Sequence, residues 1–371
     1  MATLQFSNVS KTYASGTEAV KNFNLNIKDG EFVVIVGGSG CGKSTILRMA
    51  AGLEEITTGE LRMDGTIIND LSPKKRNVAM VFQNYALFPN LTVEDNIGFA
   101  LKMQGVKKTE RRERVLAMAK MLGIEELLHK KAKGLSGGQC QRIAIGRALA
   151  CEPRVFLLDE PLSNLDATMR NDLRGEIAAL QKRLGVTTLY VTHDLTEAMT
   201  LGTRVVVMND GEIMQVDTPQ NIYSRPQNVF VARFVGHSMN LFRARCVAQG
   251  DGAALSVGGN IIPLPQWKAT ILLDRGFADK EVLAGIRGED IYPVCEGMAI
   301  PDIELTGVEA VVEAEEVLGA EKNLHMRLGG TPLVAAVRTY AAVDVGDTVE
   351  LRLDAGRIHI FDAETETAII Q

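Results

Sequence analysis

The run Gly37-Gly38-Ser39-Gly40-Cys41-Gly42-Lys43-Ser44-Thr45 fits the pattern G-x-x-x-x-G-K-[ST], and no other stretch constrains the chain as tightly. Before it, Phe32 to Val36 is short, apolar and rich in Val, as expected of a strand buried on both faces of a parallel sheet. After it, Ile46 to Ala51 contains helix-forming residues. Glycine tolerates unusual backbone angles and has no side chain to block an approach, so such a turn can bring several backbone N–H groups close to phosphate oxygens. In that role Lys43 reaches the β- and γ-phosphates and Ser44 places its hydroxyl on Mg2+. The following helix turns its partially positive N-terminus toward the anion.

At 371 residues the chain can hold two or three domains with substantial cores. A formal charge of −6, one Trp and 5% aromatic residues argue against a nucleic-acid partner, which calls for a basic surface and stacking side chains. The densest charge run, Lys107 to Lys120, interleaves basic residues with Glu110 and Glu113 around apolar positions and reads as a solvated helix face. The cysteines at positions 41, 140, 151, 246 and 295 show no metal-ligand spacing, and reduced cytoplasmic thiols account for them. The start has no basic stretch followed by an apolar one, and no apolar run approaches the roughly 18 residues of a membrane span. Any work at a membrane is therefore expected from outside the bilayer.

Short apolar strands are expected at Leu4 to Val9, Val78 to Phe82, Val155 to Leu158, Thr187 to Val191 and Val205 to Met208, with helical patterns between several of them. The alternation predicts an α/β domain over residues 1–235. Residues from about 88 to 150 read instead as an inserted helical subdomain, in which Thr92 and Asp95 have the spacing of a helix start. Thr218-Pro219 opens another helix near the end of the α/β domain. From 236 to 371 short alternating stretches separated by Gly, Asp and Pro predict a small all-β domain of sandwich or barrel type.

Two further segments add chemistry. Val155 to Glu160 is an apolar strand ending in two acids. Beside a phosphate loop, Asp159 is placed to hold Mg2+ directly or through water, and Glu160 to orient or polarise an attacking water. In Leu135-Ser136-Gly137-Gly138-Gln139, Ser136 and Gln139 have the spacing of an N-cap and its N3 partner, which predicts a helix ending near Ala150. Small residues at such a start also make a second phosphate-facing helix terminus, so a composite site is expected.

With this LSGGQ segment the chain resembles the nucleotide-binding subunits of ABC transporters, and the remaining motifs occur in order. Gln83 in Val81-Phe82-Gln83 is similar to the Q-loop glutamine, Ser163-Asn164-Leu165-Asp166 to the D-loop, His193 to the switch histidine, and Tyr13 to the aromatic residue that stacks on adenine. The resemblance implies a P-loop ATPase domain with a RecA-like core. Two copies would close head to tail around two ATP molecules, each between residues 37–45 of one copy and Ser136 to Gln139 of the other. Gln83 would join Ser44 and Asp159 at Mg2+, and His193 would stabilise charge during hydrolysis. The segments 285–290, 316–321 and 357–361 resemble the regulatory OB-like domain of maltose-type carbohydrate importers. That implies a peripheral homodimer at the cytoplasmic face of the inner membrane, two integral permease subunits, and a solute-binding protein met only indirectly. The same machinery serves importers of polyamine, sulfate, iron or molybdate, whereas soluble ABC ATPases of repair or translation carry a coiled coil or a second ATPase domain not seen in this sequence. Three positions depart from the pattern: Gly38 stands where relatives usually have Pro, Cys140 where a basic residue or Gln is common, and Gly288 in place of a tail Pro.

Overall fold

The computed structural model describes residues 2–236, 238–296, 298, 300–301 and 305–370. They form two compact units, Met1–Gln220 and Asn221–Gln371.

The first unit contains strands β1 (Leu4–Thr12), β2 (Glu18–Ile27), β3 (Phe32–Gly37), β4 (Thr58–Met63), β5 (Thr66–Ile67), β6 (Val78–Val81), β7 (Val155–Asp159), β8 (Thr187–Thr192), β9 (Arg204–Asn209) and β10 (Glu212–Asp217). Six of them make one sheet in the order β10-β9-β3-β8-β7-β6. All its pairs are parallel except that of β10 with β9. Every residue of β3, β7 and β8 is buried, which explains why these strands read as continuous apolar runs rather than alternating ones. The other four form an antiparallel sheet, β2-β1-β4-β5. Its β1 alternates buried and exposed residues with one face turned to Ile46 and Leu47 in a shared core.

Helix α1 (Lys43–Ala51) follows β3 directly. After α2 (Pro73–Arg76), the expected helical subdomain consists of α3 (Val93–Met103), α4 (Lys108–Leu122) and α5 (Gly137–Leu149). The Thr92 hydroxyl accepts from Asp95 N at 3.1 Å and starts α3. The charge run lies on α4, where only Val115, Ala119 and Leu122 are buried. Helices α6 (Ala167–Leu184) and α7 (Leu195–Leu201) complete the unit's crossovers.

The second unit starts fifteen residues before the expected boundary at 235, within α8 (Pro219–Ser224). Helix α9 (Val229–Val235) belongs to this unit because Val229 and Ala232 pack on Phe361, and Val229 N donates to Glu366 O at 3.0 Å. Two five-stranded antiparallel sheets follow. The first orders Asn260–Pro263, Gly252–Val257, Met239–Gln249, Glu281–Arg287 and His359–Asp362; the second orders Ile291–Pro293, Thr348–Leu353, Thr306–Val317, Glu321–Leu328 and Thr331–Arg338. Both contribute to a single core that includes Leu255, Ile286, Leu324 and Leu351. The sequence gives no periodic warning of α10 (Gln266–Asp274), which buries Lys268, Ala269 and Leu272. A lysine on the inward face obscures the apolar stripe.

Candidate active site

The phosphate loop sits between the C-terminal end of β3 and the first turn of α1. Two of its glycines are required by packing. A Cβ on Gly42, whose φ is +96°, would lie 2.2 Å from Ala19 O, and one on Gly37 would lie 2.4 Å from Met208 O. At Gly38 and at Gly40 (φ +82°) an added Cβ would meet nothing within 4 Å, so this part of the loop is open to an approaching ligand. Lys43 is buried, and its Nζ donates to Gly37 O at 3.0 Å and Gly38 O at 2.7 Å. Thr45 Oγ1 and the Tyr13 hydroxyl are 3.2 Å apart, which puts Tyr13 beside the start of α1.

Ser44 Oγ donates to Asp159 Oδ1 at 2.7 Å. The strand order explains the meeting: β3 and β7 flank β8, so their C-terminal ends lie along one edge of the sheet, where parallel α/β sheets hold ligands. Burial raises the Asp159 carboxyl above its ordinary range, against the hydrogen bond from Ser44 and the nearby charges of Arg48 and Lys43; Glu160 adds to the rise. A hydroxyl and one carboxylate fit Mg2+, which keeps several waters and takes phosphate oxygens to complete its octahedron. Among the described residues no group of three or more His, Cys, Asp or Glu forms a cation cage.

Glu160 follows with φ +44°, a left-handed conformation that turns its side chain toward the next strand end. Its N donates to Val191 O at 3.0 Å, and its Oε2 lies 2.9 Å from His193 Nδ1. The pairing of Asp159 with Val191 in β7 and β8 therefore carries through to the two residues beyond the strands. Gln83 is exposed in the turn after β6. Because Val81 pairs with Leu158, Gln83 and Glu160 stand at corresponding positions past adjacent strands, and Gln83 O accepts from Asn164 Nδ2 at 2.8 Å.

Ser136 to Gln139 opens α5 as expected, with a reciprocal cap: Ser136 Oγ accepts from Gln139 N at 3.3 Å and Gln139 Oε1 accepts from Ser136 N at 3.0 Å. Gly137 and Gly138 are also packing residues, since added Cβ atoms would lie 2.8 Å from Leu165 Cδ2 and 3.2 Å from Met169 Sδ. Among the described residues no hydrogen bond or ion pair joins Ser136–Gln139 to residues 37–45 of the same chain.

Several participants carry no motif signal. Arg147 of α5 donates to Tyr85 O at 2.8 Å and Ala86 O at 2.5 Å, holding two consecutive non-glycine residues at φ +60° and +47°. Glu197 is buried in α7 and accepts from both Tyr190 Oη and Thr192 Oγ1 at 2.7 Å. Burial raises its carboxyl despite these bonds. Asp194 and Glu197 do have capping spacing, a signal available in the sequence.

Comparison with known proteins agrees with this geometry. Residues 20–163 match the ABC transporter family and residues 284–361 the TOBE domain. The oligosaccharides import ATP-binding protein MsmX of Bacillus subtilis is 45% identical over 370 residues, covering 100% of both chains. The multiple sugar-binding transport ATP-binding protein MsmK of Streptococcus mutans is 45% identical over 382 residues, again covering 100% of both. The dimeric structure of MJ0796, a bacterial ABC transporter cassette, aligns with a TM-score of 0.53 and 38% identity over 58% of this chain and 98% of that one. A second structure of that cassette, in a post-hydrolysis state bound to ADP and Pi, aligns with the same TM-score and coverage. Identity at this level along the whole length, together with the loop, the strand-end acids and the capped α5, shows that the chain belongs to the ATP-binding proteins of ABC transporters.

Proposed function

We propose that this protein is the ATP-hydrolysing subunit of a carbohydrate importer, acting as a peripheral homodimer on the cytoplasmic face of the membrane. The observation that carries the catalytic part is the Glu160–His193 pair at 2.9 Å, one residue past the acid that holds Ser44. In this reading the loop from Gly37 to Thr45, including Ser39, Gly40 and Cys41, wraps the phosphates and Tyr13 stacks on adenine. Lys43 exchanges its bonds to Gly37 O and Gly38 O for phosphate oxygens. Ser44, Asp159 and Gln83 hold Mg2+, which when bound neutralises developing charge on the β- and γ-phosphates. Glu160 orients the attacking water, and His193 stabilises charge on the γ-phosphoryl group. Ser136, Gly137, Gly138 and Gln139 complete the site of a second copy from the partially positive start of α5.

No helix of the described residues is long and apolar enough to cross a membrane. In this reading two separate permease subunits carry out translocation. A groove of about 410 Å³ lined by Phe82, Ala86, Phe88, Phe99 and Arg147 supports their docking beside Gln83. The carbohydrate cargo rests on the full-length similarity to importers named for oligosaccharides and multiple sugars. The solute-binding protein delivers cargo to the permeases without touching this chain. Isolating the native complex and measuring ATPase activity with candidate solutes tests the cargo. Stimulation by an oligosaccharide or polyol phosphate is expected; stimulation by a polyamine or oxyanion, with none by sugars, would overturn it.

A further inference from the structure

We propose that Arg170 is a positioning residue for hydrolysis, tying the Ser163–Asp166 turn to the turn that carries His193. Its Nη2 donates to Leu165 O at 3.1 Å, and its Nη1 lies 3.3 Å from Asp194 Oδ2. Both ends of this brace lead to the reacting pair. On one side, Ser163 Oγ donates to Glu160 O at 2.9 Å. On the other, Asp194 follows His193 directly and is itself fixed, with its N donating to Thr192 Oγ1 at 3.0 Å and its Oδ1 accepting from Glu197 N at 3.1 Å. The Glu160–His193 contact at 2.9 Å closes the ring.

The ring matters because His193 is exposed, with 55% of its side chain accessible, and has little packing to hold it. Its placement depends on the turn beneath it. Arg170 fits the task because a planar guanidinium can serve a carboxylate and a carbonyl in different directions at once, whereas an ammonium on a flexible stem holds only one such geometry well. Burial would raise the Asp194 carboxyl, but the N–H groups of Glu197 and Thr196 and the Arg170 charge together hold it below its ordinary value. Asp194 therefore stays ionised and available to the brace. The same turn touches Gln83 through Asn164 and packs against Gly137 through Leu165. A misplaced Ser163–Asp166 turn would thus disturb hydrolysis before it disturbed nucleotide binding, since none of these bonds involves residues 37–45.

The inference rests on Glu160 and His193 serving ATP hydrolysis. The test compares the full-length wild type with Arg170→Met, Arg170→Lys, Asp194→Asn and the Arg170→Met/Asp194→Asn double variant, each by kcat, KM for ATP and thermal melting. Asn retains the helix cap through its amide oxygen, so Asp194→Asn removes the charge and the acceptor that faces Arg170 but leaves the cap. We expect kcat to fall about tenfold in Arg170→Met with KM within about twofold, Arg170→Lys to recover part of the loss, and the double variant to be no worse than Arg170→Met alone. If Arg170→Met melts too low to assay, Arg170→Lys and Asp194→Asn carry the comparison. Wild-type kcat in these variants, a rise in KM matching the fall in kcat/KM, or additive losses in the double variant would overturn the brace while leaving the ATPase assignment intact. A wild-type chain without ATPase activity would instead overturn the underlying reading.

Discussion

Gly42 shows how a single absent side chain can support a site. With φ at +96° and Ala19 O only 2.2 Å from where a Cβ would sit, Gly42→Ala incurs both backbone strain and a collision with main chain. Strain and overpacking of this kind cost about 1–3 kcal/mol each. We expect Gly42→Ala to weaken ATP binding by at least about tenfold and to lower the melting temperature. The same change at Gly38, which meets nothing within 4 Å, should cost less on both measures. Nucleotide titration and melting of the two variants check the order; equal losses would mean that contact with Ala19 is unimportant. The other departures also have local accounts. Gly288 N donates to Ser238 O at 3.0 Å, a bond that proline could not make, and an added Cβ would lie 3.0 Å from Val334 O. Cys140 is half-buried on α5 with its Sγ 3.9 Å from Leu135 O, and burial raises its thiol.

Among the elements, α5 was fully legible. Ser136 and Gln139 give its start by spacing alone, and the helix ends at Leu149 with Ala150 as its C-cap. Strands β3, β7 and β8 were equally readable, because burial on both faces demands uninterrupted apolar runs. Helix α10 was not, because its inward face carries Lys268, whose Nζ donates to Ala355 O at 3.1 Å and also to Ile358 O. A buried lysine satisfied by carbonyls distant in sequence leaves no periodic trace. Helix α9 lies within the span 1–235 expected for the α/β domain but packs with the second unit, because its partner, Phe361, lies far along the chain.

The turn before Ile291–Pro293 supplies a pH test at this scale. Burial first, and then the charges of Glu289 and Asp354, raise the Asp290 carboxyl from 3.8 to about 6, with Arg357 and Arg287 opposing. The folded chain therefore holds this proton where the unfolded chain has lost it, and Asp290 lowers stability as pH rises from 3.8 toward about 6. Arg357 is largely exposed, so its 3.3 Å ion pair with Asp290 returns little. Asp290→Asn should flatten the pH dependence of melting across this window and raise the melting temperature at pH about 7 relative to wild type. A variant with an unchanged slope would place the titration elsewhere.

At the scale of the whole molecule, no bond among the described residues of one chain joins the two segments of the proposed site. Residues 37–45 and Asp159 lie together, but Ser136 to Gln139 makes no bond to them. The MJ0796 cassette, which shares 38% identity, is dimeric. If the site is completed by a second copy, Glu160→Gln should bind ATP, lose hydrolysis by at least about a hundredfold, and accumulate as a dimer. Light scattering with ATP and with ADP checks this. Hydrolysis at the wild-type rate would remove Glu160 from its role, and a monomer with ATP would count against the composite site.

The sequence by itself determined the local chemistry: the glycine-rich turn, the acids at a strand end, the capped helix, and the division into an α/β part and a β-rich part. These follow from spacing, periodicity and residue type within a few turns of chain. Only the tertiary structure decided which distant pieces meet. Ser44 reaches Asp159 across 115 residues, Glu160 reaches His193 across 33, and Arg170 braces Asp194 across 24. Those meetings come from parallel strand order and register, which aligns the C-terminal ends of β3, β8 and β7. Pairing of that kind is selected by the packing of whole strands, and no short segment encodes it.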